Sequence, residues 1–171
     1  WGNQNYGGDS SSVSSSLSSG ISRIYGNLEA FAALKDDGSV VTWGSSNKGG
    51  DSSSVSSSLS SGVSQIYSAN LSFAALKDDG SVVTWGNADY GGDSSAVTAD
   101  LAHGVIQIYS NPYSFAALKD DGSVVAWGDA DYGGDTVGDI ALESDVVKIF
   151  SNKYAYAALK DDGSVVTWGD V

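Results

Sequence analysis

Four pairs of adjacent aspartates punctuate the chain: Asp36-Asp37, Asp78-Asp79, Asp120-Asp121 and Asp161-Asp162. Paired carboxylates can divide the work of a general acid and a general base, or share a hard cation. Four Gly-Gly-Asp tripeptides supply a second set, Asp9, Asp51, Asp93 and Asp135, on backbone free enough to wrap an ion such as Ca²⁺. A third set is aromatic. Tyr6, Tyr90 and Tyr132 each follow a Trp-Gly step by the same interval, with Lys48 in that place after Trp43. Exposed rings so placed could stack on a ligand, sugars included.

Repetition argues against catalysis, because a reaction needs one site and these sets recur in every unit. Asp-Asp-Gly has the composition of a hairpin turn, and Gly-Gly-Asp that of a turn followed by a helix cap. The Gly-Gly-Asp stretches lack both the EF-hand spacing and the Ca²⁺-roll nonapeptide. No Gly-Lys-Ser/Thr phosphate loop and no Gly-x-Ser-x-Gly elbow occurs, and the single histidine, His103, reads as a surface residue. The one irregular stretch that could hold a singular cluster is the Asp-rich 129–145. The expectation is a non-enzyme without a cofactor, Ca²⁺ being the ion its carboxylates would suit.

The elements that carry these residues repeat. Phe31-Ala-Ala-Leu-Lys-Asp-Asp-Gly-Ser-Val-Val-Thr-Trp-Gly44 returns at 73–86, 115–128 (Ala126 for Thr) and 156–169 (Tyr156 for Phe), a period of about 42 residues. The units run about 1–42, 43–84, 85–126 and 127–167, with a fifth Trp-Gly start at 168–171, in a single repeat domain. Ile21–Tyr25, Val63–Tyr67, Val105–Tyr109 and Val146–Phe150 read as first strands, β-branched and aromatic. In the third unit, Phe115–Lys119 and Ser123–Trp127 read as second and third strands, joined through Asp-Asp-Gly. Each unit is thus a three-stranded antiparallel meander. Phe115 and Ala117 point one way and Ala116 and Leu118 the other, so both faces are apolar and each sheet must be sandwiched between neighbours. The connector Asp93–Gly104 reads as a short helix, with Asp93 as cap, Val97 and Leu101 on one face and Gly104 at its end. A serine-rich loop is the competing reading.

The chain has 171 residues and a formal net charge of −13. That charge repels phosphate backbones and excludes a polybasic membrane patch. Cysteine is absent, so disulfides and thiolate metal sites are excluded. No apolar run reaches membrane-span length. Methionine is absent too and the chain opens on Trp1, which suggests a processed protein or a piece of a longer one.

The stretch Leu-Lys-Asp-Asp-Gly-Ser-Val-Val-Thr-Trp-Gly, followed after Trp85-Gly86 by Tyr90-Gly91-Gly92, resembles the regulator-of-chromosome-condensation (RCC1-like) repeat family. It is similar in particular to short Ser- and Asp-rich bacterial versions in surface or secreted proteins. The resemblance covers all four units and implies a β-propeller-like fold; an open β-rich solenoid is the alternative. The sequence departs from the family in having four units rather than the usual seven, and Gly-Gly-Asp-Ser where Gly-Gln-Leu-Gly is usual. Nothing in it carries over the family's nucleotide-exchange activity. Trp1 and Trp168 share one phase four periods apart, so they would compete for one place in a closed four-unit ring; an open array or head-to-tail assembly has no such conflict. The function expected is a non-enzymatic structural or adhesive module of a bacterial surface or extracellular protein, working through protein contacts and end-to-end self-assembly. The alternative is a multivalent carbohydrate- or calcium-binding lectin-like module.

Overall fold

The computed structural model describes residues 2–136 and 140–170. Trp1, and with it the phase comparison to Trp168, lies outside the described residues. Twelve strands form four antiparallel sheets of three, each in simple meander order. Unit 1 comprises β1 (Ile21–Gly26), β2 (Ala30–Lys35) and β3 (Val40–Gly44), and unit 2 comprises β4 (Val63–Ser68), β5 (Ser72–Lys77) and β6 (Val82–Gly86). Unit 3 comprises β7 (Val105–Ser110), β8 (Ser114–Lys119) and β9 (Val124–Gly128), and unit 4 comprises β10 (Val146–Ser151), β11 (Ala155–Lys160) and β12 (Val165–Gly169). A register shift after the first residue of each first strand, as between Ile21 and Arg23, marks a bulge repeated in every unit.

The alternation of small and large residues along the second strands decides how the sheets stack. One face of unit 1, Ala30, Ala32 and Leu34, packs against the opposite face of unit 2, which presents Leu59, Val63, Ile66, Phe73, Ala75 and Trp85. The same junction recurs between units 2 and 3 and between units 3 and 4. Alanine at the approach points lets the sheets come close, while Phe and Trp fill the space between them. First strands of successive units lie side by side. The result is a propeller-like fan of blades, and no sheet closes on itself.

The same backbone stitch recurs at every junction. The hairpin between second and third strands is a three-residue loop: Gly38 N donates to Lys35 O at 3.0 Å and Lys35 N to Ser39 O at 2.9 Å, with Gly38 left-handed at φ 75°. The turn then reaches across to the next unit, where Val63 N donates to Gly38 O at 3.0 Å. Val105 N to Gly80 O and Val146 N to Gly122 O repeat the bond, each at 3.0 Å. The Asp-Asp-Gly turn is therefore also part of the contact between units.

The connector differs from the helix expected. Ser95–Val97 is a 3-10 turn; Asp100 N and Leu101 N both donate to Val97 O at 3.1 Å, and Ala102 N to Ala99 O at 3.4 Å, before Gly104 turns left-handed. Val97 and Leu101 still face the core, as the spacing predicts. Side-chain hydroxyls compete for the carbonyls a helix would use: Ser14, Ser18, Ser56 and Ser60 in the first two units, and Thr98 in the third, turn back onto carbonyls three residues earlier. Without a longer run, helix nucleation is not recovered.

The turn glycines allow a direct test of the stitch. A Cβ on Gly122 would lie 2.8 Å from Asp145 N, whereas one on Gly163, the same turn of unit 4, would meet nothing within 4 Å. Both positions are left-handed, which alone costs an alanine about 1–2 kcal/mol. Gly163→Ala is expected to lose about that much and Gly122→Ala clearly more, as read by urea unfolding followed through tryptophan fluorescence.

Candidate functional site: an aromatic surface beside the axial cleft

The loop after each Trp-Gly step forms a 3-10 turn: Gln4–Tyr6, Ser46–Lys48, Ala88–Tyr90 and Ala130–Tyr132. Asn3, Asn87 and Asp129 cap three of them, accepting from Asn5 N, Asp89 N and Asp131 N at 2.9–3.1 Å. Gly-Gly then drives each loop onto the following sheet. Gly49, at φ 98°, lies flat on Phe73, where a Cβ would come within 2.6 Å of the ring. Its carbonyl accepts the Trp85 indole N–H at 3.1 Å, and Phe73 stacks on Trp85 with centroids 5.3 Å apart. Trp43 to Gly7, Trp127 to Gly91 and Trp168 to Gly133 repeat the bond at 3.1 Å.

These turns sit beside the hairpins that join first to second strands. Asn111 Oδ1 accepts from Tyr113 N and Ser114 N at 2.8 and 2.9 Å, and its Nδ2 donates to Tyr132 O at 2.8 Å. Ser114 Oγ also donates to Tyr132 O at 2.8 Å, and Ser72 Oγ bonds Tyr90 O. Hairpin and turn are thereby locked together, and the side chains at their tips are brought side by side. Tyr113 stacks on Tyr132 at 4.2 Å and contacts Tyr90 at 5.7 Å and Tyr154 at 6.3 Å. Tyr132 and Tyr154 meet at 5.7 Å, and Lys153 Nζ lies 4.8 Å over the Tyr154 ring. Four tyrosines, two in the turns after β6 and β9 and two in the first hairpins of units 3 and 4, thus form one surface, half-buried except for the more exposed Tyr154.

Pro112 and Lys153, the residues before Tyr113 and Tyr154, line with Leu28 and Asn70 an open cleft of about 490 Å³ between the hairpin tips. Backbone bonds tie the tips in sequence, Leu28 N to Asn70 O at 3.1 Å and Asn70 N to Pro112 O at 2.9 Å. Pro112 has no N–H and so passes no such bond on to unit 4. Partial desolvation, then Tyr113 and the carboxylates of Asp129, Asp170 and Asp131, push the Tyr132 hydroxyl up, so it stays neutral. The hydroxyl of Tyr154, more than any other group, pushes Lys153 up and holds it charged. Tyr156, the fourth unit's replacement for Phe, lies deeper: burial raises its hydroxyl strongly, while that hydroxyl donates to Ser114 O at 2.8 Å and accepts from Asn111 N at 3.1 Å.

Of the three tyrosines singled out from the sequence, Tyr90 and Tyr132 join this surface. Tyr6 is exposed, and among the described residues no ring contact includes it. Tyr113 and Tyr154 were not legible as partners, because their column of the repeat reads Glu29, Leu71, Tyr113, Tyr154. The asparagine turn beside them, Asn111 and Asn152, was the available signal.

The aspartates lie elsewhere, in turns. Asp9, Asp51 and Asp93 accept from Ser11 N, Ser53 N and Ser95 N at 2.8–2.9 Å, and these bonds hold their carboxyls below the usual range. Asp135 occupies the same place in the fourth unit's sequence. No three acidic or histidine side chains gather as a metal set among the described residues. Asp37, Asp79, Asp121 and Asp162 are held low chiefly by the hydroxyls of Ser39, Ser81, Ser123 and Ser164, then by their backbone N–H groups. A carboxyl held low when folded stabilises above its ordinary value near 4 and loses that contribution as pH falls through the folded value. Replacing the four serines by alanine is therefore expected to lower stability at pH 7 more than at pH 2, narrowing the gap between the two. Urea unfolding at both pH values checks this.

No protein-family model matches the sequence, and no curated protein does either. Solved structures do match in fold. Yeast RCC1 (Prp20), in its complex with Kap60, superposes with a TM-score of 0.58 at 18% identity, covering 87% of this chain and 43% of that one. Prp20p from Saccharomyces cerevisiae, in a study of its binding to Gsp1p and histones, gives 0.56 at 15%, covering 87% and 45%. The ectodomain of the Physcomitrella patens receptor kinase CR4 gives 0.52 at 16%, covering 88% and 39%. The fold is that of an RCC1-like β-propeller repeat array, and the chain spans less than half the length of each of these neighbours. No helix among the described residues is long and apolar enough to cross a membrane.

Proposed function

We propose that the chain is a non-enzymatic structural or adhesive module of a bacterial surface or extracellular protein. It works through protein contacts, with a partner at the tyrosine surface and with copies of itself end to end. The observation that carries the partner surface is the convergence of Tyr90, Tyr113, Tyr132 and Tyr154 on one accessible place. Tyrosines of this kind anchor protein interfaces, offering large rigid area with a polar tip. The net charge of −13 and the carboxylates around Tyr132 favour a basic partner. Binding to Gsp1p and histones, named for the Prp20p structure, supports a protein-contact reading of the fold. A multivalent lectin would use one equal aromatic site per unit, whereas here the rings gather in one cluster and Tyr6 and Lys48 stand outside it. The serine-, glycine- and aspartate-rich, cysteine-free sequence supports a surface or extracellular setting, which antibody labelling of intact cells tests.

Peptide and glycan arrays, the latter with and without chelator, test the contact surface. The expected result is binding to peptides that carry Lys or Arg beside aromatic or proline residues, with silence on glycans. The Tyr113→Ser/Tyr132→Ser variant is expected to lose at least about tenfold in affinity while keeping its fold. Glycan signals that the variant abolishes would replace this reading by the lectin one.

A further inference from the structure

The three junctions are made from one pair of complementary faces, and among the described residues one face of unit 1 and the complementary face of unit 4 are uncovered. The face of unit 1 that carries Leu17, Ile21 and Ile24 corresponds to the faces buried in units 2–4. Ile24 is 61% exposed, whereas its counterparts Ile66, Ile108 and Ile149 are each 1% exposed. The other uncovered face belongs to unit 4. Phe150 and Val165 are 50% and 61% exposed there, whereas Val124, in the place of Val165, is 7% exposed. Tyr25, Tyr67 and Tyr109, in the place of Phe150, pack against the next unit's core.

Polar groups match as well as apolar ones. The stitch that runs from Val63, Val105 and Val146 to the preceding turn glycine leaves Ile21 N on unit 1 and Gly163 O on unit 4 as its two remaining halves. A second bond, made at the first two junctions by Val40 N to Leu59 O and Val82 N to Leu101 O at 3.0 Å, has its end counterparts in Val165 N and Leu17 O. The empty space beside Gly163, where the other turns meet the next unit's backbone, is the steric half of the same vacancy. One pair at the ends differs from its internal counterparts. Between units 2 and 3, Gln107 Nε2 donates to the Tyr67 hydroxyl at 2.8 Å, whereas between units 1 and 2 the buried Tyr25 hydroxyl has no partner among the described residues. At the ends the corresponding residues are Arg23 and Phe150. Phe150 has no hydroxyl to receive an amide, but its ring can receive a guanidinium; in unit 4 itself Lys148 Nζ already lies 5.0 Å over it.

We propose that the unit 1 face of one chain docks on the unit 4 face of a second copy, head to tail, reproducing the internal junction with Arg23 over the partner's Phe150. The contact is heterologous, so it propagates until a ring closes or a filament forms. This deepens the protein-contact reading above but uses none of the tyrosine surface, so the two fail separately: peptide binding can be read on a monomeric variant. Because the chains carry like net charge and the joining faces are apolar, association is expected to strengthen with added salt.

The test blocks one face at a time. Light scattering on wild-type protein, at the highest soluble concentration and raised salt, is expected to give multiples of the 17.5 kDa chain mass. Ile24→Glu and Phe150→Glu are each expected to be monomeric, with circular dichroism unchanged because both sites are already exposed. Mixed one to one, they still offer one intact face each and are expected to form a dimer, twice 17.5 kDa, that grows no further. A wild type that stays monomeric, or a mixture that shows no dimer, overturns the proposal.

Discussion

Everything in this fold depends on a glycine backbone lying flat on an aromatic ring. In each unit the phenylalanine or tyrosine of the second strand stacks on the tryptophan of the third, and that pair is closed from above by the first glycine of Gly-Gly. The glycine arrives from the loop that leaves the preceding sheet, and its carbonyl takes the indole N–H. A buried indole N–H without a partner is costly, so tryptophan and glycine are required together. In units 2–4 no unit is complete by its own strands: the lid of the aromatic pair comes from the loop that leaves the sheet before. Stability in such an array is a property of junctions as much as of sheets.

This dependence explains what the sequence made legible. The meander, the two apolar faces and the turn role of Asp-Asp-Gly follow from periodicity and turn chemistry, which act over a few residues. The 3-10 connector was harder to foresee, because Val97 and Leu101 have the same spacing in one helical turn as in a full helix. Competition of side-chain hydroxyls for carbonyls, Ser56 and Ser60 in one unit and Thr98 in the next, is visible only as hydrogen bonds. The tyrosine surface was half legible. Tyr90 and Tyr132 stand in one column of the repeat, but Tyr113 and Tyr154 stand in another, and contact between columns is set by how turn and hairpin are locked through Asn111 and Ser114.

The uneven distribution of tyrosines also separates scaffold from surface. Columns that build the junction hardly vary from unit to unit, whereas the columns at hairpin and turn tips read Glu29, Leu71, Tyr113, Tyr154 and Tyr6, Lys48, Tyr90, Tyr132. Tips face solvent and are free to change without disturbing the stack. Aspartates with lowered carboxyls sit in other exposed turns, those between second and third strands, where serine hydroxyls and backbone N–H groups hold them ionised. Solubility and turn geometry are thus supplied by one set of residues.

The sameness of the junctions has a consequence for how such a chain can change over generations. Residues 9–20 and 51–62 are identical, and misaligned recombination between them would delete or add one whole period in frame. Because every period ends in the same Trp-Gly and begins with the same Gly-Gly lid, the product would rebuild every junction from parts already tested. Array length can therefore drift by whole units at little risk to folding, while a single altered lid glycine is far more damaging. In a lineage carrying this gene, copy number would be the first thing to vary.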